Sequence, residues 1–161
     1  MHPTDKVIAS LSALSSICDA DRTLGKKIVL TSGCFDLLHG GHLEYICDAG
    51  ERGFLIVGIN SDAFVRKLKG EGRPIRKEND RAFLMAGFFP VRRVIIFDCD
   101  YELIEAVKPD IYIASMTSHV RVWDDKRRVS LLNEHGSEII ELDSGKTDST
   151  TGIINRSANA C

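Results

Sequence analysis

Nothing in these 161 residues approaches the ~18 consecutive apolar residues that a membrane-spanning helix needs. An excess of one charge is lacking too. With 21 basic and 23 acidic side chains the formal net charge is -2, which excludes a whole-molecule attraction to nucleic acid or to an anionic membrane. The five cysteines are odd in number and without metal-ligand spacing. That excludes a complete disulfide framework and fits a reducing, cytoplasmic setting. Cys18, Cys34, Cys47 and Cys99 lie in apolar stretches and read as small core residues. Internal repeats, low-complexity tracts and a linker between two domains are all missing.

What is present suits one domain with a hydrophobic core of its own, 43% of the residues being hydrophobic. Residues 1–24 read as an N-terminal helix and linker, and 25–157 as the core. "VIASLSALSSIC" has the length of a signal-peptide core, but Ile8, Leu11, Leu14 and Ile17 recur at helical spacing with serines between them. An amphipathic helix is therefore expected there. Beyond it, strand-length runs at 27–33, 54–60, 93–98, 110–115 and 137–143 alternate with helical stretches at 41–52, 61–68, 79–88, 100–107, 121–135 and 149–157. Such alternation predicts an α/β, Rossmann-like fold: an open parallel five-stranded sheet with helices on both faces. Ligands of such sheets bind beyond the carboxyl ends of the strands, where strand order reverses.

"TSGCFDLLHGGH" (31–42) falls at that place, with "GCFD" leaving the first core strand and "HGGH" opening a helix. Amides at a helix start point outward unsatisfied, and the helix dipole adds partial positive charge. Gly40 and Gly41 allow close backbone approach, and His39 and His42 project toward one side of the first turn. Together they predict an anion pocket with two added side-chain donors. The common phosphate motifs are absent: there is no GxGxxG, and "SGKT" (144–147) has Ile140 where a P-loop needs glycine. A metal would want a third ligand, and nearby only Asp36 and Cys34 are on offer, so no metal site is expected.

"GCFDLLHGGHLEYI" resembles the signature of the HxGH nucleotidyltransferase superfamily, which includes glycerol-3-phosphate cytidylyltransferase and the adenylyltransferase domain of ADP-heptose synthase. Further blocks follow in order: "VGINSDAFVRKLKGEGRPI", "DRAFLMAGF", "VIIFD" and "DSTTGIINR". The resemblance implies transfer of a nucleoside monophosphate from CTP or ATP to a small anionic substrate, with release of pyrophosphate. It implies catalytic roles for His39, His42 and Lys69 on the triphosphate. Gly33, Gly41, the backbone amides of Cys34 and Phe35, Arg81, Ser149 and Thr150 would bind the nucleotide. Mg²⁺ would arrive with the nucleotide rather than in a protein cage. No Ser–His–Asp or paired-carboxylate arrangement is evident, and a phosphate acceptor needs none, because it already carries a nucleophilic oxyanion. Relatives are commonly dimers, and the heptose relative is often fused to a kinase, so a homodimer and a longer bifunctional parent chain are implied as well.

Within the cation-rich stretch 66–81, Arg66 and Lys77 read as solvated, whereas Lys69, Arg73 and Arg81 sit at motif positions. Asp36, Arg73, Ser115, His119 and Arg121 are the expected substrate-side residues, Asp36 chiefly by bracing the pocket loop through accepted backbone amides. Where the heptose enzymes carry a Lys-Gly-Gly-Asp-Tyr-like segment, this chain reads "IASMTSHVRVWDD". On that difference the expected reaction is CMP transfer from CTP to a small phosphate or phosphonate. AMP transfer to a heptose-like sugar 1-phosphate is the second reading, and a catalytically silent nucleotide-binding regulatory domain the third.

Overall fold

The computed structural model describes residues 2–116, 121–143 and 152. Its strands are β1 (Val7–Ile8), β2 (Ile28–Gly33), β3 (Phe54–Asn60), β4 (Val91–Phe97), β5 (Ile111–Ser115) and β6 (Glu138–Leu142). The helices are α1 (Pro3–Lys6), α2 (Leu11–Thr23), α3 (Gly40–Gly50), α4 (Asp62–Lys69), α5 (Glu78–Ala86), α6 (Asp100–Val107) and α7 (Lys126–Glu134). All strand pairs are parallel, in the order β1-β4-β3-β2-β5-β6.

Strands buried on both faces read as continuous apolar runs, which is why "IVL" and "LIVGI" signal strand so clearly. Their side chains alternate between two cores. Val29, Leu55, Val57 and Ile59 meet Tyr45, Ile46 and Ala49 of α3 and Ala82, Met85 and Ala86 of α5. Ile28, Leu30, Ile56 and Ile95 turn the other way, toward Leu14 and Cys18 of α2, Leu103 and Ile104 of α6 and Leu132 of α7. Each fully buried aliphatic side chain contributes about 1.5–3 kcal/mol, so both helical layers are firmly seated.

Six strands stand where five were expected. Val7 and Ile8, assigned to the N-terminal helix by their spacing, instead pair with Val94 and Ile95 at the sheet edge. The helix starts only at Leu11, because Ser10 caps it by accepting from the Ala13 amide. Residues 121–135 are likewise not one helix: a 3₁₀ turn at Val122–Asp124 precedes α7, whose N-cap Asp125 accepts from the Arg128 amide. Of the expected last helix, 149–157, only Gly152 lies within the described residues. No described helix is long and apolar enough to cross a membrane.

Gly58, in the middle of β3, shows how close the packing is. A β-carbon there would lie 2.6 Å from Leu103 and 2.9 Å from the Phe97 ring. Gly58→Ala should therefore cost about 1–3 kcal/mol in urea unfolding, as overpacked cores do. An unchanged midpoint would contradict this picture of the α6 layer.

Candidate active site

From β2 the chain builds outward through β3 to β4, and later returns to place β5 on the opposite side of β2. The order reverses between β2 and β5, so a crevice opens at their carboxyl ends, Gly33 and Ser115. Gly33 packs closely, since a β-carbon there would crowd the Phe35 ring at 3.1 Å. Phe35 adopts the left-handed conformation with φ 46°, the kind of turn from which anion-binding backbone nests are made. His39 is the N-cap of α3, yet its side chain does not cap the helix. A β-carbon on Gly40 would meet open space among the described residues, so their packing does not demand glycine there. Gly41 is buried.

Three elements converge on this loop. The His39 and His42 rings lie 3.9 Å apart at 34°, and Phe35 sets its ring edgewise to His42 at 5.4 Å. Lys69 is the last residue of α4, which Gly70 ends with φ 87°. Its ammonium is within hydrogen-bonding reach of the Cys34 thiol. Burial, then the neighbouring His39 and Lys69, pushes the His42 pKa down to about 4. The buried Nδ1 of His42 has no hydrogen-bond partner among the described residues. Burial raises the Cys34 pKa against the pull of Lys69 and Arg81, so the thiol is an uncharged lining group. At neutral pH the pocket thus offers neutral imidazole and one ammonium. A polyanion entering it is met by preplaced donors and favours protonation of the rings.

Other expected residues stand elsewhere. Arg81 does not face the crevice: it is wholly buried behind the loop. It donates to the carbonyls of Arg76 (3.0 Å), Cys34 (2.6 Å) and Asn60 (2.7 Å) and to the Asp62 carboxylate (2.8 Å). Asp36 is 2% exposed, accepts from the amides of Ile75 (2.9 Å) and Arg76 (3.0 Å), and is therefore a brace rather than a substrate ligand. Arg73 lies 2.9 Å from Asp36, but its Nε–H is not aligned on the carboxylate, so their attraction is Coulombic. Arg121 donates from Nε and one Nη to the two carboxylate oxygens of Glu141 of β6, both at 3.0 Å. Ser115 ends β5 beside the crevice. His119, Ser149 and Thr150 lie outside the described residues.

One half-buried network escaped sequence reasoning. The Ser32 hydroxyl, at the end of β2, donates to Asp100 at 3.3 Å, and Arg128 donates to the same carboxylate at 2.9 Å. Asp125, the cap of α7, lies 3.5 Å from Arg128. The only sequence cue was Asp100 in the first turn after β4, a position that equally suits a plain helix start.

An all-parallel sheet flanked by helices, with two imidazoles and a lysine gathered at its switch point, defines a Rossmann-like α/β domain. The chain belongs to the cytidylyltransferase-like family, whose model matches residues 30–156. It is 41% identical over 157 residues to the bifunctional protein HldE of Nitratiruptor sp., covering 96% of this chain and 32% of that protein. Against HldE of Helicobacter pylori it is 42% identical over 139 residues, covering 84% and 28%. The chain thus spans about a third or less of the length of these relatives. A solved lipopolysaccharide core biosynthesis protein from Thermoplasma volcanium superimposes with a TM-score of 0.64 at 27% identity, over 77% of this chain and all of that one.

These likenesses correct one expectation. CMP transfer to a small phosphate or phosphonate rested on the altered segment at 113–125. The relatives, matching 84–96% of the chain, are bifunctional HldE proteins, and this likeness favours the second reading over it. A few changed residues in one loop do not outweigh that.

Two measurements check this geometry. Arg81→Met leaves Asp62 and three carbonyls without their donor and should cost about 3 kcal/mol in chemical unfolding; a loss near zero would mean that the loop is held by other contacts. His42 should remain neutral in an NMR titration until the pH nears about 4. Because the unfolded chain takes up this proton near 6.5, the stability due to neutral His42 is whole above that pH and is lost as the pH falls toward 4. His42→Gln should flatten that acid slope. A folded-state midpoint near 6.5 would contradict the burial argument.

Proposed function

We propose that this chain transfers AMP from ATP to a heptose-type sugar 1-phosphate, forming an ADP-sugar and releasing pyrophosphate. The observation that carries the reading is the convergence of His39, His42 and Lys69, from two helices, on the loop leaving β2. Similarity to HldE proteins along almost the whole chain supports the adenylyl group and the sugar phosphate.

An oxygen of the acceptor phosphate attacks the α-phosphorus in line. The bond from that phosphorus to the bridging oxygen breaks, and pyrophosphate carries away the electron pair. Charge grows on the equatorial oxygens and on the leaving group, so preplaced donors lower the barrier most. Lys69 supplies a fixed positive charge. The imidazoles of His39 and His42 donate N–H groups, and the tail's negative charge draws protons onto them. The amides following Gly33 and those at the start of α3 meet the β-phosphate side. In this reading Ser149 and Thr150 of "DSTTGIINR" close over the distal phosphates.

Mg²⁺ does not fit a cage of these side chains. A hard cation seeks oxygen ligands, whereas the pocket is lined by imidazole, ammonium and thiol, and Asp36 is engaged by backbone amides. The ion would come with the triphosphate.

Pyrophosphate release should be measured with each of the four nucleoside triphosphates against sugar 1-phosphates, glycerol phosphate and phosphonates. ATP with a heptose 1-phosphate should give the highest turnover, and His42→Ala should lower it by roughly 10²–10³. Preference for CTP, or silence with every sugar phosphate, would overturn the proposal.

A further inference from the structure

At the end of the sheet away from Cys34 lies a groove of about 420 Å³ lined by Lys6, Lys26, Phe54, Arg92 and Arg93. Four of the five side chains are cationic and none is acidic. Strand geometry gathers them there. Phe54 and Arg93 stand two residues before Ile56 and Ile95, so alternation turns them to the same face of the sheet. Arg92 enters at a bulge in β4, between the pairs Leu55–Val91 and Ile56–Arg93. Lys26 and Lys6 come from the residues just before β2 and β1.

Three of the four cations are held by contacts, while Arg92 is exposed. Lys26 and Arg93 sit over the Phe54 ring at 4.8 and 5.6 Å from its centroid. Lys6 donates to the Phe88 carbonyl at 3.3 Å, and Arg93 to the Arg92 carbonyl at 2.8 Å. Lys26 also pairs with Asp21 at 2.6 Å. Gathering like charges in a concave site is unfavourable unless an opposite charge joins them. The strain registers in Lys6, whose ammonium pKa is lowered by burial and then by Arg92 and Arg93.

We propose that this groove is a second anion site, which takes a phosphate group at the end of the sheet remote from the nucleotide pocket. A phosphate dianion brings three terminal oxygens and twice the charge of a carboxylate, which suits a concave site lined by two guanidinium and two ammonium groups. Because Lys6 joins α1 to β1, a bound phosphate ties the two-residue edge strand to β4 and to the loop before β2. The site does not depend on the adenylyl-transfer reading.

The test is an NMR titration of the whole chain with inorganic phosphate and, separately, with glucose 6-phosphate, holding ionic strength constant with sodium chloride. Saturable shifts are expected at residues 6, 26, 54, 92 and 93, with slowed amide exchange at Val7 and Ile8. They should persist in His42→Ala and weaken about tenfold or more in Arg92→Ser/Arg93→Ser. If that double variant does not fold, Lys26→Gln serves in its place. Tighter binding of the sugar ester would identify a phosphomonoester as the ligand, and tighter binding of the free ion would identify inorganic phosphate. Absence of saturable shifts in the groove, or shifts lost in His42→Ala and kept in the arginine variant, would overturn the proposal.

Discussion

The guanidinium of Arg81, buried between two loops, is the contact on which the candidate site most depends. It reaches forward to the carbonyl of Cys34 and sideways to Asn60 at the end of β3, while Asp62 answers its charge. Asp36, two residues beyond Cys34, holds the amides of Ile75 and Arg76 in return. The loop after β2 and the loop after α4 are thereby clamped together. The histidines belong to the first loop and its helix, and Lys69 sits at the entrance to the second. Without the clamp these groups have no common point of aim. A charge this deeply buried adds little net stability against an apolar alternative. What it supplies here is a fixed geometry for the loop backbone, shared with Asp36.

That geometry has an electrostatic consequence. Packing His42 under Phe35 and beside Lys69 removes it from water and keeps it uncharged while the pocket is empty. The pocket therefore avoids concentrating three positive charges at one spot before a ligand arrives. A polyanion reverses the balance, because its charge favours protonated rings where burial had disfavoured them. The groove at Arg92 and Arg93 is built differently: its charge comes from lysine and arginine, with Lys26 and Arg93 over the Phe54 ring. One end of the sheet has charge that a ligand can induce, and the other has charge that stands without one.

The sheet and the two helical layers were legible in the sequence because "KIVLTSG", "FLIVGIN" and "RVIIFD" are buried on both faces, and full burial leaves an unbroken apolar run. Val7–Ile8 was not legible: two residues cannot display a period of two, and their spacing to Leu11 and Leu14 imitates a helix. At the site, the histidine pair, the glycines and Lys69 followed from motif and helix-start chemistry. Arg81 was expected on the nucleotide, and a motif arginine near phosphate-binding loops looks the same in sequence whether it touches the ligand or holds the loop that does. Only its complete burial and its run of carbonyl partners decide between the two. Arg121 has a similar history, since Glu141 lies on a strand that no local pattern links to it. The nucleotide and acceptor were the least legible, because the segment at 113–125 departs from the heptose-type pattern and residue types alone do not read a base.

A crystal structure of the chain with a non-hydrolysable ATP analogue would test the central claim most directly. The account predicts the triphosphate lying across the loop after β2, with ring nitrogens of His39 and His42 and the Lys69 ammonium within hydrogen-bonding distance of its oxygens. A triphosphate bound elsewhere, with the two imidazoles still stacked on each other and out of its reach, would contradict it.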